Sequence, residues 1–292
     1  MAHPINILIS GLNSFTGLHL QPLLKKSFPN SNIVGLESDI TIRKNVIDEI
    51  EFIKPDYLIH LAGISHAGVE NNEIYNVNVI GTTNLLDGLL KSKSQVKKVI
   101  LASSATVYGN ADTSIISEHT PTNPINHYGC SKLAMEQMSK NYQNLPIIIT
   151  RPFNYTGYGH SDLFLVPKII NAYTNKKNQI DLGNLDVSRE FNDVRDICES
   201  YMRLMISDFI GVVNICSGKS VNLKDIIKKM DDISGYNMKI TVNPKFVRKN
   251  EIKHLSGNPE KLQKISGKSF LFNIDETLSW MYLKGNNSIK YD

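Results

Sequence analysis

Cysteine is scarce in this chain of 292 residues: Cys130, Cys198 and Cys216 are its only three. So few and so scattered, they exclude a disulfide framework and a thiolate zinc site. Charge of one sign is not in excess either. The 32 Lys and Arg against 28 Asp and Glu leave a net charge of +4. That is too small and too dispersed for a nucleic-acid partner and is compatible with an anionic small molecule. Apolar runs such as residues 145–149 fall far short of a membrane span. The first nine residues lack the charged start and long apolar stretch of a signal peptide. The sequon Asn154-Tyr155-Thr156 therefore reads as coincidence, and a reduced, cytoplasmic protein without membrane contact is expected. Internal repeats and low-complexity tracts are absent, and 41% hydrophobic with 21% charged residues excludes collagen, coiled coil and bulk disorder. At ~150 residues per domain the length fits two lobes or one large α/β unit.

What is present is alternation. Apolar, β-rich runs at residues 5–9, 32–36, 56–61, 98–102 and 146–150 alternate with helical spacing at 18–26, 79–90 and 131–142. This is the pattern of βαβ units and a parallel sheet. Beyond Arg151 it loosens into loops at 154–162 and 175–188, and residues 285–292 read as a frayed tail. The expected fold is a doubly wound parallel sheet of Rossmann type with a smaller mixed α/β C-terminal lobe. The first would take residues 1–155 plus part of 185–218, and the second the remainder of 156–292.

Two clusters carry chemistry. Gly11-Leu12-Asn13-Ser14-Phe15-Thr16-Gly17 lies between the first strand and the first helix, where a glycine turn lets backbone N–H groups approach a pyrophosphate. Glu37 follows the last glycine by ~20 residues, the place of a ribose-binding carboxylate. The other reading of Glu37 is a solvated loop residue. The second cluster is Tyr128 and Lys132, four apart and so on one helix face, with Ser104 at the end of an upstream strand. A neighbouring ammonium favours the phenolate, which would bring Tyr128 closer to neutrality as an acid/base, while Ser104 would hold the reacting oxygen. A Tyr-x-x-x-Lys helix also arises by chance; the upstream Ser and the dinucleotide loop argue otherwise. His60 reads as a strand-end structural residue and Cys130 as a packing residue, and Arg195 and Arg203 as surface salt-bridge partners.

The glycine loop, His60-Leu61-Ala62-Gly63, Asn78-Val79-Ile80-Gly81-Thr82, Ser103-Ser104-Ala105-Thr106-Val107-Tyr108-Gly109, the Tyr128–Lys132 helix and Arg151-Pro152-Phe153-Asn154 occur in this order. Together they resemble the extended short-chain dehydrogenases/reductases, the nucleotide-sugar epimerase, dehydratase and reductase group. The resemblance runs nearly end to end. One departure is Ser14, where the group usually has glycine; Ser fits there if its φ is negative.

The resemblance implies NADH or NADPH held by Gly11, Ser14, Phe15, Thr16, Gly17, Glu37, Asp39, Ile40, Leu61, Ala62, Gly63, Asn78, Ala102, Tyr128, Lys132 and Pro152. It implies a catalytic set of Ser104, Tyr128 and Lys132, with no metal. Substrate contacts carry over to Ser104, Thr106, Asn154, Val166, Lys168, Arg189, Arg248 and Glu251, with Asn154 and Arg189 on a diphosphate. Dehydratases of the group place acidic residues after the strand-end Ser; Ala105 and Thr106 cannot serve. The segments at 151–159, 186–196, 213–218 and 248–257 look most like GDP-4-keto-6-deoxy-mannose reductases. The implied activity is reduction of the C4 ketone of a GDP-linked 6-deoxy sugar, hexose or heptose. A 4-epimerase that recycles bound NAD and a non-catalytic NAD(P)-binding sensor are the alternatives. Relatives commonly form homodimers through two helices per subunit, for which 79–90 and 131–142 are the counterparts here.

Overall fold

The computed structural model describes residues 4–65, 70–92, 95–246 and 254–288. Six strands form one sheet: β1 (Asn6–Ser10), β2 (Asn32–Gly35), β3 (Tyr57–His60), β4 (Lys98–Ala102), β5 (Ile147–Pro152) and β6 (Gly211–Ile215). They lie in the order β6-β5-β4-β3-β1-β2, and every pairing is parallel. A parallel sheet is apolar on both faces, which is why these strands are runs of Ile, Leu and Val.

The faces are divided by the two-residue period of a strand. Ile7, Ile9, Ile59, Ile100, Ile148, Val213 and Ile215 point to one side, where α1 (Phe15–Ser27) brings Leu20 and Leu24. Leu8, Leu58, Val99, Leu101, Ile147 and Ile149 point to the other. There α2 (Arg43–Ile53), α3 (Thr82–Lys91) and α4 (His127–Ser139) add Val46, Ile50, Leu85, Leu86, Leu89 and Met135. Residues 79–90, expected as one α-helix, open instead with a π turn over Asn76–Gly81, and α4 starts at His127 rather than 131.

After β5 the chain leaves the sheet for α5 (Leu165–Thr174), then returns. Helix α6 (Val194–Met205) packs Ile197, Tyr201 and Leu204 beside α1, and β6 completes the sheet edge. A separate core forms where α5, α7 (Leu223–Ser234) and α8 (Ile274–Ser288) meet Ile180, Leu182 and Met238. Two expectations fail here. The loop read at 175–188 contains the strand Gln179–Leu182, paired with Lys239–Val242, whose short partner lies about 60 residues downstream and gives no local signal. The tail read from 285 continues helical to Ser288.

The order β2-β1-β3 reverses direction between β1 and β3, and such a switch opens a crevice at the carboxyl ends of the strands. Gly11, Leu61 and Ala62 all lie there.

Candidate active site

Gly11 has φ +78°, a conformation open to glycine, and a Cβ on it would stand 2.8 Å from the Ala62 nitrogen. A Cβ on Gly17 would fall 2.3 Å from the Leu12 carbonyl oxygen. The two glycines thus let the loop, the β3 end and the first turn of α1 close on one another. Ser14 takes φ −74° and caps α1, its hydroxyl accepting from the Gly17 N–H at 3.2 Å. The departure from glycine is therefore a helix cap with an ordinary backbone. The first turn of α1 remains a ready anion site, with no acidic residue in it. The Phe15 ring stacks 4.2 Å from His160, and the Thr16 hydroxyl lies 2.8 Å from that of Tyr155. Both side chains are turned toward the segment that follows β5.

Glu37 is exposed, and its Oε1 stands 3.6 Å from where a Cβ on Gly35 would be, alongside Leu12 of the loop. Glu49 fixes this turn by accepting the Glu37 and Ser38 N–H groups at 2.8 and 2.9 Å. Asp39 accepts from the Thr41 N–H and hydroxyl at 2.8 and 2.7 Å through Oδ1, and Ile40 packs on Gly81. The Ile40 carbonyl accepts from Asn84 at 2.9 Å, pinning the segment to α3.

Across the crevice, Asn78 in the π turn accepts the Ile64 N–H (2.9 Å) and donates to the Ile64 carbonyl (3.1 Å) and the Ser131 hydroxyl (2.9 Å). It thereby ties residues 61–65 to α4. Helix α4 is capped by Asn126, which accepts the Gly129 N–H at 2.8 Å. Its face carries Tyr128 and Lys132, with the Lys132 ammonium 6.0 Å from the Tyr128 ring centre. Lys132 is buried and donates to the Ala102 carbonyl at 2.7 Å; a Cβ on Gly63 would meet its Nζ at 3.1 Å. Its two other N–H groups have no partner among the described residues. Ser104 ends the β4 connection, its hydroxyl accepting from the Thr106 N–H and hydroxyl at 3.2 and 3.0 Å. Pro152 is buried at the end of β5.

The electrostatics correct one expectation. Burial pushes the Tyr128 phenol up to about 12, and the hydrogen bond with Ser104 opposes this only in part. Burial also lowers Lys132, to about 8. The low-dielectric wall outweighs an ammonium committed to a carbonyl. At neutral pH Tyr128 is a phenol with its proton in place.

Beyond β5, Asn154 is exposed, and its carbonyl accepts the Asn192 N–H at 2.9 Å. Arg189 is half-buried in the strand Ser188–Arg189, with Nη1 donating to the Ser188 carbonyl at 2.9 Å. The Val166 side chain is buried in the lobe core, so only its backbone is available to a ligand. Lys168 donates to the Asp181 carbonyl at 2.9 Å and lies over Phe246, which makes it a strut between α5 and its neighbouring strand. Arg195 is no surface pair: it chelates Asp193 at 2.9 and 2.7 Å and is sandwiched by Phe272 and Trp280. Arg248 and Glu251 lie outside the described residues.

The profile of the family described as GDP-mannose 4,6 dehydratase matches residues 6–279. The chain belongs to this family. It is 36% identical over 276 residues to the GDP-6-deoxy-D-talose 4-dehydrogenase of Aggregatibacter actinomycetemcomitans, covering 92% of this chain and 93% of that one. It is 28% identical to the GDP-6-deoxy-D-mannose reductase of Pseudomonas aeruginosa, covering 89% and 90%. The solved structure of Pseudomonas aeruginosa RMD complexed with NADPH superposes with TM-score 0.88 at 26% identity, over 99% of this chain and all of that one. The protein is a nucleotide-sugar-modifying member of the extended short-chain dehydrogenases/reductases, a superfamily that uses nicotinamide cofactors.

The dinucleotide fits this chain. Gly11 and Gly17 leave room that a Cβ would fill, the first turn of α1 is capped and free of acid, and Lys132 keeps two donors under Gly63. Ala105 and Thr106 follow Ser104, so this family member lacks a carboxylate for elimination there. Two residues near the site carry no reading from the sequence. Tyr155 sits against Thr16 of the first helix, and Glu136 lies one turn beyond Lys132. Only the latter had a signal, an acid at i+4 from a candidate catalytic lysine. Among the described residues no group of three or more His, Cys, Asp or Glu could hold a metal, and no helix is long and apolar enough to cross a membrane.

His60 sits at the floor of the site. The Thr82 hydroxyl gives its proton to the Asn78 carbonyl (2.8 Å), so it accepts from His60 Nε2 (2.8 Å), leaving Nδ1 to accept from Ser10 (2.6 Å). Burial holds this neutral ring down at about 3, from 6.5. Between those values the unfolded chain binds a proton the folded chain does not. Stability from this group therefore falls as pH drops below 6.5, by up to about 1.36 kcal/mol per pH unit. Melting temperature measured against pH is expected to decline less steeply in acid for His60→Gln than for the parent; superimposable acid limbs would remove His60 from this role.

Proposed function

We propose that the protein is an NAD(P)H-dependent reductase of the C4 ketone of a GDP-4-keto-6-deoxy sugar. The observation that carries the reading is Tyr128, kept as a neutral phenol beside Ser104 and Lys132, with no acid at positions 105 and 106. The reduced nicotinamide supplies the hydride to the carbonyl carbon. Ser104 donates to the carbonyl oxygen and fixes its position, and Tyr128 passes its proton to that oxygen as alkoxide develops. Lys132, anchored on the Ala102 carbonyl, directs its remaining donors to the nicotinamide ribose. Arg189 and Asn154 hold the diphosphate. The guanine-linked substrate rests on the two relatives named for GDP-6-deoxyhexose redox chemistry, one of them explicitly at position 4.

The test is purified protein with GDP-4-keto-6-deoxymannose and NADH or NADPH, followed by absorbance. One cofactor oxidised per sugar consumed supports the reading. Isomerised sugar with no net oxidation makes the protein an epimerase, and no reaction makes it a binding protein.

Glu37 sets the cofactor. Its carboxylate beside the loop accepts hydrogen bonds from a free ribose and repels a 2′-phosphate. We expect kcat/KM to be higher with NADH than with NADPH, and Glu37→Ser to narrow the difference. A strong NADPH preference in the parent would show that Glu37 does not face the ribose.

A further inference from the structure

Ser104 and the Tyr128–Lys132 pair come from different elements, yet the chemistry needs them at a fixed separation. Glu136 is nearly fully buried on α4, one turn beyond Lys132. Its Oε1 accepts from the Ser103 hydroxyl at 2.5 Å and from Arg151 Nε at 2.9 Å, and its Oε2 from Arg151 Nη2 at 2.5 Å. Arg151, on β5, also donates through Nη1 to the Tyr108 hydroxyl at 2.9 Å, which in turn donates to Asn214 of β6 at 2.7 Å. Ser103 immediately precedes Ser104, and Tyr108 closes the turn Ala105–Tyr108 that follows it. One carboxylate and one guanidinium therefore grip the chain on both sides of Ser104 and bind it to the helix of Tyr128 and Lys132. A buried ion pair is a poor way to gain stability, since apolar residues of like volume commonly do as well. Its value here is geometric.

We propose that Glu136, clamped by Arg151, is the positioning residue that sets the distance between Ser104 and the Tyr128–Lys132 pair and stands one helical turn from the Lys132 ammonium as its counter-charge. This rests on the assignment of those three residues to the reaction. The titratable groups facing Lys132 are Tyr128 and Glu136 on its own helix and His60 on β3, with Arg151 behind Glu136. Tyr128 and His60 are neutral, so Glu136 is the charge that favours the ammonium against burial.

Two variants separate position from charge. Glu136→Asp keeps the charge and shortens the reach. It should lower kcat about 10-fold or more with KM for the sugar little changed, the signature of misplaced reacting groups. Glu136→Gln keeps the reach and removes the charge. NADH affinity, read by fluorescence against pH, should then lose its alkaline midpoint near 8 to one lower by about half a pH unit or more. Parental kcat in folded Glu136→Asp, or activity lost only in proportion to the folded fraction, overturns the positioning role. An unmoved midpoint in Glu136→Gln overturns the role in charge. If the parent consumes no keto sugar, the substrate reading fails by itself, and the NADH midpoint still judges Glu136.

Discussion

Replacing Tyr128 by Phe is expected to lower kcat by ~10²-fold or more, the usual size of a lost general acid, while KM, cofactor affinity and melting temperature stay near those of the parent. The ring remains and only the hydroxyl beside Ser104 is lost. The pH profile of the parent bears on the same point. A phenol held at about 12 does not titrate in the working range, so an alkaline fall in rate is expected near 8, from Lys132. A Tyr128→Phe enzyme turning over near the parental rate would remove Tyr128 from proton transfer. An alkaline limb near 10 or above, in place of 8, would show Lys132 to be less desolvated than the structure has it.

Arg189→Ala carries the second large effect. A charge-assisted contact to a diphosphate oxygen is worth roughly 1.5–3 kcal/mol, and it is present in ground and transition states alike. The loss should appear as a KM for the nucleotide sugar raised by about 10–100-fold, with kcat less affected. Arg189→Lys should recover part, since a point charge cannot reproduce the planar fork. The rival view pairs Arg189 with Glu190 or Asp193. Those carboxylates have other work: Glu190 accepts from the Gly257 and Ser217 N–H groups at 2.7 and 2.8 Å, and Asp193 holds Arg195 and Thr277. An unchanged KM in Arg189→Ala, with a lowered melting temperature, would nonetheless decide for that view.

The strands of the main sheet were legible because a doubly covered parallel strand is an unbroken apolar run, and the runs at residues 5–9 and 98–102 need no context to be seen. Gly11 and Gly17 were legible for a similar reason, since only glycine permits the close approach found there. What escaped depended on distant partners. The strand Gln179–Leu182 exists through Lys239–Val242, and Arg195 is ordered by Phe272 and Trp280. The phenol of Tyr128 was misjudged for a physical reason: spacing reveals a neighbouring ammonium but not the dry wall that outweighs it.

In the proposed reaction hydride passes from a dissociable cofactor to C4 of the sugar, and deuterium follows it directly. The protein is incubated with GDP-4-keto-6-deoxymannose and NADH bearing deuterium on the transferred position, and the product is examined by NMR and mass spectrometry. One deuterium at C4 of a GDP-6-deoxyhexose, equal in amount to the NAD formed, is the expected result. Product without deuterium, or interconversion of C4 epimers while the added NADH stays intact, would contradict it.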